Sequence, residues 1–148
     1  MVELQTTDPH FETRVRSSFE KQGIMATIGA CLVKVVPGEV EIEFPYALSL
    51  SQHNGYIHAG VLTTVVDSAC GYAAYTLMPA EFDVLSIEYK VNFMSPAVGE
   101  SFRGVGRVVK AGRTITVCAG DMITIADGKE KVVATMLATM IAVKTEPA

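Results

Sequence analysis

From Ala59 to Leu77 the chain repeats at helical period with almost no position suited to open water. Leu62, Val65, Val66, Ala69, Ala73 and Leu77 form a broad apolar stripe, and Gly60, Thr63, Thr64, Asp67, Gly71 and Tyr75 fall on the adjoining face. A helix so apolar and so rich in Ala, Gly and Ser has to be enclosed, and its small side chains suit close approach to a curved sheet. The rest of the chain supplies one. The segment 39-EVEIEF-44 alternates, with Val40, Ile42 and Phe44 on one face, and Pro37-Gly38 turns an earlier strand into it. After Pro79, 84-VLSIEYKVNF-93 and 114-TITVCAGDMITI-125 read as strands, Lys110 to Arg113 as a turn, and Asp127-Gly128 as a hairpin before Val132 to Val143. Four long antiparallel strands thus follow one long helix. The fold class is α+β, a long central helix wrapped by a curved antiparallel β-sheet.

Upstream, Asp8-Pro9 opens a short amphipathic helix over about 8–23, in which Phe11, Val15 and Phe19 recur until Gly23; from Ala26 the pattern becomes extended. With 148 residues, 49% of them hydrophobic, the expectation is a single domain over 1–148, with disorder only in the tail 144–148. A net charge of -4 with interspersed signs offers no basic surface for nucleic acid. Cys31, Cys70 and Cys118 lie far apart inside apolar runs, as buried reduced thiols do, and no stretch is long and apolar enough for a signal or a membrane span. A cytoplasmic protein without nucleic-acid or membrane partners is expected.

Asp67 breaks the apolar helix. Burying a lone carboxylate raises its pKa or demands a partner, so this acid is either paired, by Thr63, Thr64 or a distant Lys or Arg, or used. Gly71 lies one turn on and Thr63 and Thr64 one turn back, small residues that leave a niche for a ligand atom. The helix opens with His58-Ala59-Gly60, where free backbone N–H groups and the positive dipole end suit a carbonyl oxygen gaining negative charge; Gly60 equally permits tight packing. Asp67 is eight residues beyond Ala59, or about 12 Å along the axis at ~1.5 Å per residue. The two can address one carbonyl only from different subunits, which predicts two equivalent sites per dimer.

The order of short helix, two strands, polar loop, His58-Ala59-Gly60 with Asp67 seven residues after Gly60, then Ser86 ten residues before Pro96 in 96-PAVGE-100, resembles the hotdog-fold acyl-CoA thioesterases of the PaaI-like, 4-hydroxybenzoyl-CoA thioesterase superfamily. The resemblance covers about residues 25 to 143. It implies hydrolysis of acyl-CoA thioesters to free acid and coenzyme A, with Asp67 as general base or nucleophile, the Ala59 N–H polarising the carbonyl, Gln52 assisting and Ser86 near the attacking water. Members commonly read His-Gly-Gly where this chain has His58-Ala59-Gly60; alanine keeps the N–H. The resemblance further implies a homodimer, or a dimer of dimers, and no cofactor beyond the substrate's own coenzyme A.

Other assignments follow from position. Ser86 alternates with Leu85 and Ile87, which on a plain strand turns it from the core. Asn54 stands in for Gln52 if the loop register differs. His58 and Gly60 border the helix start, Gly71 the carboxylate, and no spacing of His53 or His58 suggests a metal site. Arg103, Arg107, Lys110 and Arg113, near the Gly112 hairpin, are candidates for the coenzyme A phosphates. Tyr72, Tyr75, Met78, Phe82 and Phe93 either enclose an acyl pocket or form ordinary core. Two rivals remain: a dehydratase or hydratase on acyl thioesters, using His58 with Asp67, and a non-catalytic acyl-CoA binding module.

Overall fold

The computed structural model describes residues 3–146. Its elements run α1 (Phe11–Glu20), α2 (Gly23–Ile28), β1 (Cys31–Val36), β2 (Glu39–Pro45), a 3-10 turn (Leu48–Leu50), α3 (Ala59–Tyr75), β3 (Phe82–Phe93), β4 (Ser101–Ala111), β5 (Ile115–Ala126) and β6 (Lys129–Lys144). One six-stranded sheet in the order β1-β2-β4-β5-β6-β3 wraps α3, and every neighbouring pair is antiparallel. This is the α+β hotdog architecture.

Alternation places Val40, Ile42 and Phe44 of β2 inside, with Phe44 stacked on Phe102 of β4 at 5.1 Å between ring centroids. Leu62, Val65, Val66, Ala69, Cys70 and Ala74 of α3 share one core with Phe102, Cys118, Met122, Met136 and Met140 from the sheet, so the core lies between the helix and the concave face. The contact is closest where the strands carry no side chain. A Cβ at Gly104 would sit 2.9 Å from Val65 Cγ1, and one at Gly120 would sit 2.6 Å from Val66 Cγ1 and 2.7 Å from Cys70 Sγ. At Gly106 it would run into the backbone of Ala69 and Cys70, which cannot retreat as a flexible side chain can.

The N-terminal region departs from its sequence pattern. Helix α1 begins at Phe11 after the cap residue His10, because Asp8 is buried and accepts from the His10 N–H (2.8 Å) while facing Arg14 Nε at 3.3 Å. It ends at Glu20, and Gly23 starts α2 rather than a strand; extended chain begins only at Cys31, after Gly29 closes α2 at φ 76°. Met25 and Ile28 explain the second helix, since both are buried in the common core. Arg14 donates to the carbonyls of Tyr75 (3.0 Å), Met78 (2.8 Å) and Pro79 (2.8 Å) and lies 4.3 Å over the Tyr75 ring, a cation on the negative end of α3.

Two smaller expectations also change. Cys31 is exposed, because β1 is an edge strand; Cys70 and Cys118 are buried. Disorder does not begin at residue 144, since Lys144 closes β6 and Thr145 donates to Glu81 O through N–H and hydroxyl, both at 3.0 Å. The end of that tail, residues 147 and 148, lies outside the described residues. No described helix is long and apolar enough to cross a membrane.

The glycine contact is testable. Gly106→Ala should cost about 2–3 kcal/mol and lower the thermal midpoint by roughly 5–10 °C. An unchanged melting curve would show that α3 does not bear on the strand backbone there.

Candidate active site

The polar loop after β2 makes the mouth of the site. Gln52 donates its N–H to Tyr56 O (2.8 Å), and its side-chain Oε1 accepts from the Asn54 N–H, while the Gly55 N–H donates to Gln52 O at 2.9 Å. This tight turn leaves the Gln52 amide nitrogen as the free donor of the pair. His58 then caps α3, its Nδ1 accepting from the Gly60 N–H at 2.8 Å. The Ala59 N–H makes no hydrogen bond among the described residues. Asp127 is the one non-glycine residue among them at positive φ, so alanine at 59 is unstrained.

A cleft of about 560 Å³ opens here, lined by Gln52, His53, Tyr56, His58, Ala59 and Leu62 on one side and by Phe93, Met94, Pro96 and Ala97 on the other. Its walls are largely apolar and none of its residues is Lys or Arg. The lone backbone donor of Ala59 therefore sits against a surface that water solvates poorly, where one hydrogen bond counts for more than it does in water.

Asp67 lies two turns further along α3, half-buried, beside the start of β3. Ser86 donates to its Oδ1 at 2.7 Å, and no cation stands within ion-pairing distance among the described residues. Thr63 and Thr64 are spent elsewhere, donating to Ala59 O (2.9 Å) and Gly60 O (2.8 Å). Burial pushes the Asp67 carboxyl above its ordinary pKa, and the Ser86 hydrogen bond pulls it part of the way back. Gly71 keeps the space beside it open: a Cβ there would meet only Met140 Sδ, at 4.0 Å.

Ser86 reaches Asp67 because β3 is bulged. It pairs with Met140, and Glu88 pairs with Thr139, so Ile87 is extra. The bulge shifts the alternation by one. Ser86, Tyr89, Val91 and Phe93 all lie opposite Met140, Ala138, Met136 and Ala134, the buried residues of β6 that face α3. Simple alternation turns Ser86 outward, and the bulge is what corrects that reading.

The remaining candidates do not join this group. Asn54 is exposed at the loop tip, with Nδ2 3.2 Å from His53 Nε2. Arg103 is held by Glu130 (2.7 Å) and Glu41 (3.6 Å), and Arg107 by Asp121 (3.0 Å), all along the strands rather than around a hairpin. Lys110 and Arg113 are exposed where the β4–β5 turn meets the C-terminal end of α3, at the opposite end of the helix from Ala59. Tyr75 and Met78 are core, Phe82 is half-buried at the start of β3, and Phe93 lines the cleft. Among the described residues no three His, Cys, Asp or Glu side chains gather as metal ligands. Ser18 and Gln22 line the same recess as Asp67, although on sequence they belong to the polar face of a surface helix; only their i, i+4 spacing could have marked them as a pair.

The family model described as the thioesterase superfamily matches residues 54–131, from the loop before α3 to the start of β6. The chain belongs to the thioesterase superfamily. This thioesterase is similar to a solved thioesterase family protein from Silicibacter pomeroyi, 47% identical with a TM-score of 0.90, over 91% of this chain and 99% of that one. It shares the fold of the Escherichia coli PaaI protein from the phenylacetic acid degradation operon, at 13% identity and TM-score 0.80 over 90% and 93% of the two chains. A candidate esterase of Halobacterium salinarum is 27% identical over 118 residues, 76% of this chain and 78% of that protein. Thioester hydrolysis is thus its chemistry.

Asp67 sets two expectations for the thioesterase. Its ionised form is the one burial disfavours, so the folded chain keeps the proton to higher pH than the unfolded chain, and ionisation weakens the fold at neutral pH. Asp67→Asn should therefore raise the thermal midpoint at pH 7. The gain should shrink as pH falls through the raised folded pKa toward the unfolded value of about 4. Ser86→Ala removes the bond that favours the carboxylate, and should move the Asp67 carboxyl titration, followed by carbon NMR, to still higher pH. A downward shift would contradict the 2.7 Å contact.

Proposed function

We propose that this chain hydrolyses acyl-CoA thioesters at a site that two copies build together. The observation that carries the reading is the placement of the two halves of the site along β3. The Ala59 cleft meets its C-terminal end at Phe93 and Met94, whereas Asp67 meets its N-terminal end at Ser86. Within one copy, α3 holds these halves two turns apart. The outer edge of β3 has no strand neighbour among the described residues, and Leu85, Ile87, Tyr89 and Phe93 are exposed along it. A twelve-residue apolar edge is a template for another strand.

Two β3 edges paired antiparallel about a two-fold near Tyr89 set the Ser86 end of each against the Asn92–Phe93 end of the other. Glu88 then lies opposite the partner's Lys90, in both directions, an opposite-charge pair that favours this register. In that arrangement each Asp67 comes beside the partner's Ala59 cleft.

The chemistry follows from the groups. The thioester carbonyl oxygen accepts from the Ala59 N–H and from the Gln52 amide N–H, which stabilise the negative charge that develops on that oxygen. Asp67 of the other copy, with Oδ1 held by Ser86, takes a proton from water through Oδ2 while the water oxygen bonds to the carbonyl carbon. The carbon–sulfur bond breaks, the leaving thiolate receives that proton, and acid and coenzyme A depart. Burial supports the general-base role by making the carboxylate more basic. His58 caps α3 through Nδ1, which favours hydrolysis over a dehydratase that relies on a free histidine. Apolar cleft walls suit the pantetheine arm, with the phosphates left at the rim. The sequence reads as needing no cofactor, and the buried unpaired cysteines accord with a reducing, cytoplasmic setting.

Thiol release from a panel of acyl-CoAs tests the reaction. Asp67→Asn and Asp67→Ala should each lower kcat by about 10²–10⁴-fold. Mixing subunits tests the sharing: Asp67→Ala and Gln52→Ala chains, each inactive alone, should recover roughly a quarter of wild-type activity on random re-association, since half the dimers then hold one intact site. A site contained in a single chain would recover none.

A further inference from the structure

The Asp67 carboxyl opens on a second space besides the partner's cleft. Behind it, between α3, the start of β3 and the N-terminal helix, lies a recess of about 250 Å³. Gly71 leaves its mouth open, and its floor is polar. The Tyr72 ring is buried at 3% exposure, and its hydroxyl accepts from Gln22 Nε2 at 2.6 Å and is hydrogen-bonded to Ser18 Oγ at 3.1 Å. Both partners come from the N-terminal segment, which lies outside the residues that the family model matches. Arg14 fastens that segment to the end of α3, so Ser18 and Gln22 stand on a fixed support.

The hydrogen-bond count of this floor does not close. If Ser18 donates to Tyr72, the Tyr72 proton is unspent; if Tyr72 donates to Ser18, the Ser18 proton is unspent. In either case the Gln22 side-chain oxygen also has no partner among the described residues. One hydroxyl proton and the Gln22 oxygen, the latter open to solvent, are therefore available to whatever fills the recess. An alkyl tail would cover them without replacing water, at a cost; a hydroxyl or carbonyl oxygen would satisfy them. Charge narrows the choice further, because Asp67 and Asp83 line the recess and none of its residues is Lys or Arg. An anionic group is repelled there.

We infer that the Tyr72 hydroxyl, held by Ser18 and Gln22, determines specificity by reading a neutral hydroxyl or carbonyl group at the far end of a short acyl chain. This rests on Asp67 as the catalytic carboxylate. The scissile carbon lies at Asp67, the larger apolar cleft takes the long coenzyme A arm, and the smaller recess is what remains for the acyl group.

The test compares pairs of short acyl-CoAs that differ only in a terminal hydroxyl, with a terminal carboxylate as a third member. The wild-type enzyme should favour the hydroxylated ester in kcat/KM by about tenfold or more, and should turn over the carboxylate member most slowly. Tyr72→Phe should bring the preference ratio close to one, and so should Gln22→Leu, at a half-buried position where a fold defect is not expected. Melting curves check that both variants are folded. Turnover of all three esters with no preference, or a preference unchanged in both variants, overturns the recess as the determinant while leaving hydrolysis standing. No turnover of any thioester removes the reading of Asp67, and the inference with it.

Discussion

The molecule depends on direct contact between the backbone of α3 and the strands beneath it. At Gly106 the helix rests on bare strand, and at Gly104 and Gly120 only methyl-sized groups of Val65, Val66 and Cys70 intervene. Such an approach is open to a helix whose inward positions are Val, Ala and Cys. It leaves α3 without freedom to rotate or slide, because any displacement drives backbone into backbone. Asp67 and Ala59 owe their separation and direction to that rigidity. A carboxyl pushed up by burial is useful in chemistry only if the group it must reach arrives at a fixed place.

The second constraint is the bulge at Ile87. A strand must hold one phase along its length, yet β3 offers Ser86 to Asp67 and also Tyr89, Val91 and Phe93 to the same face. One extra residue reconciles the two demands. It aims the serine inward next to the acid, and it returns the apolar residues to the helix side three positions later. The hydroxyl is placed by the strand rather than by a flexible loop, which is how a single hydrogen bond keeps a 2.7 Å geometry beside a group that burial disfavours.

The N-terminal segment shows where pattern and structure part. Asp8-Pro9 has the composition of a helix cap, but the Asp8 carboxylate goes instead to the His10 N–H and the Arg14 guanidinium, and the helix starts later. Arg14 on an amphipathic helix reads as a solvent-facing charge; in the fold it closes the carbonyl end of α3. Ser18 and Gln22 read the same way, and they are instead held against the buried Tyr72 hydroxyl. The basic residues of β4 depart in the other direction. Arg103 and Arg107 stand near a hairpin in sequence, but period-two alternation sends them to acids across the sheet, Glu41 and Asp121 on the neighbouring strands and Glu130 on β6 one strand further.

What the chain itself determined is whatever is local and periodic. A helix with no face for water had to be wrapped, Val40, Ile42 and Phe44 had to point inward, the cap at His58-Ala59-Gly60 had to begin the helix, and Asp67 had to be unusual. Helical rise alone already separated it from Ala59. What only the tertiary structure decided is everything that joins residues distant in sequence: the bulge that turns Ser86 to Asp67, the arginine that ties the first helix to the end of the third, and the polar floor beneath Tyr72. Local propensity has a period and a range of a few residues, whereas these contacts depend on register and packing between elements, quantities that no single segment carries.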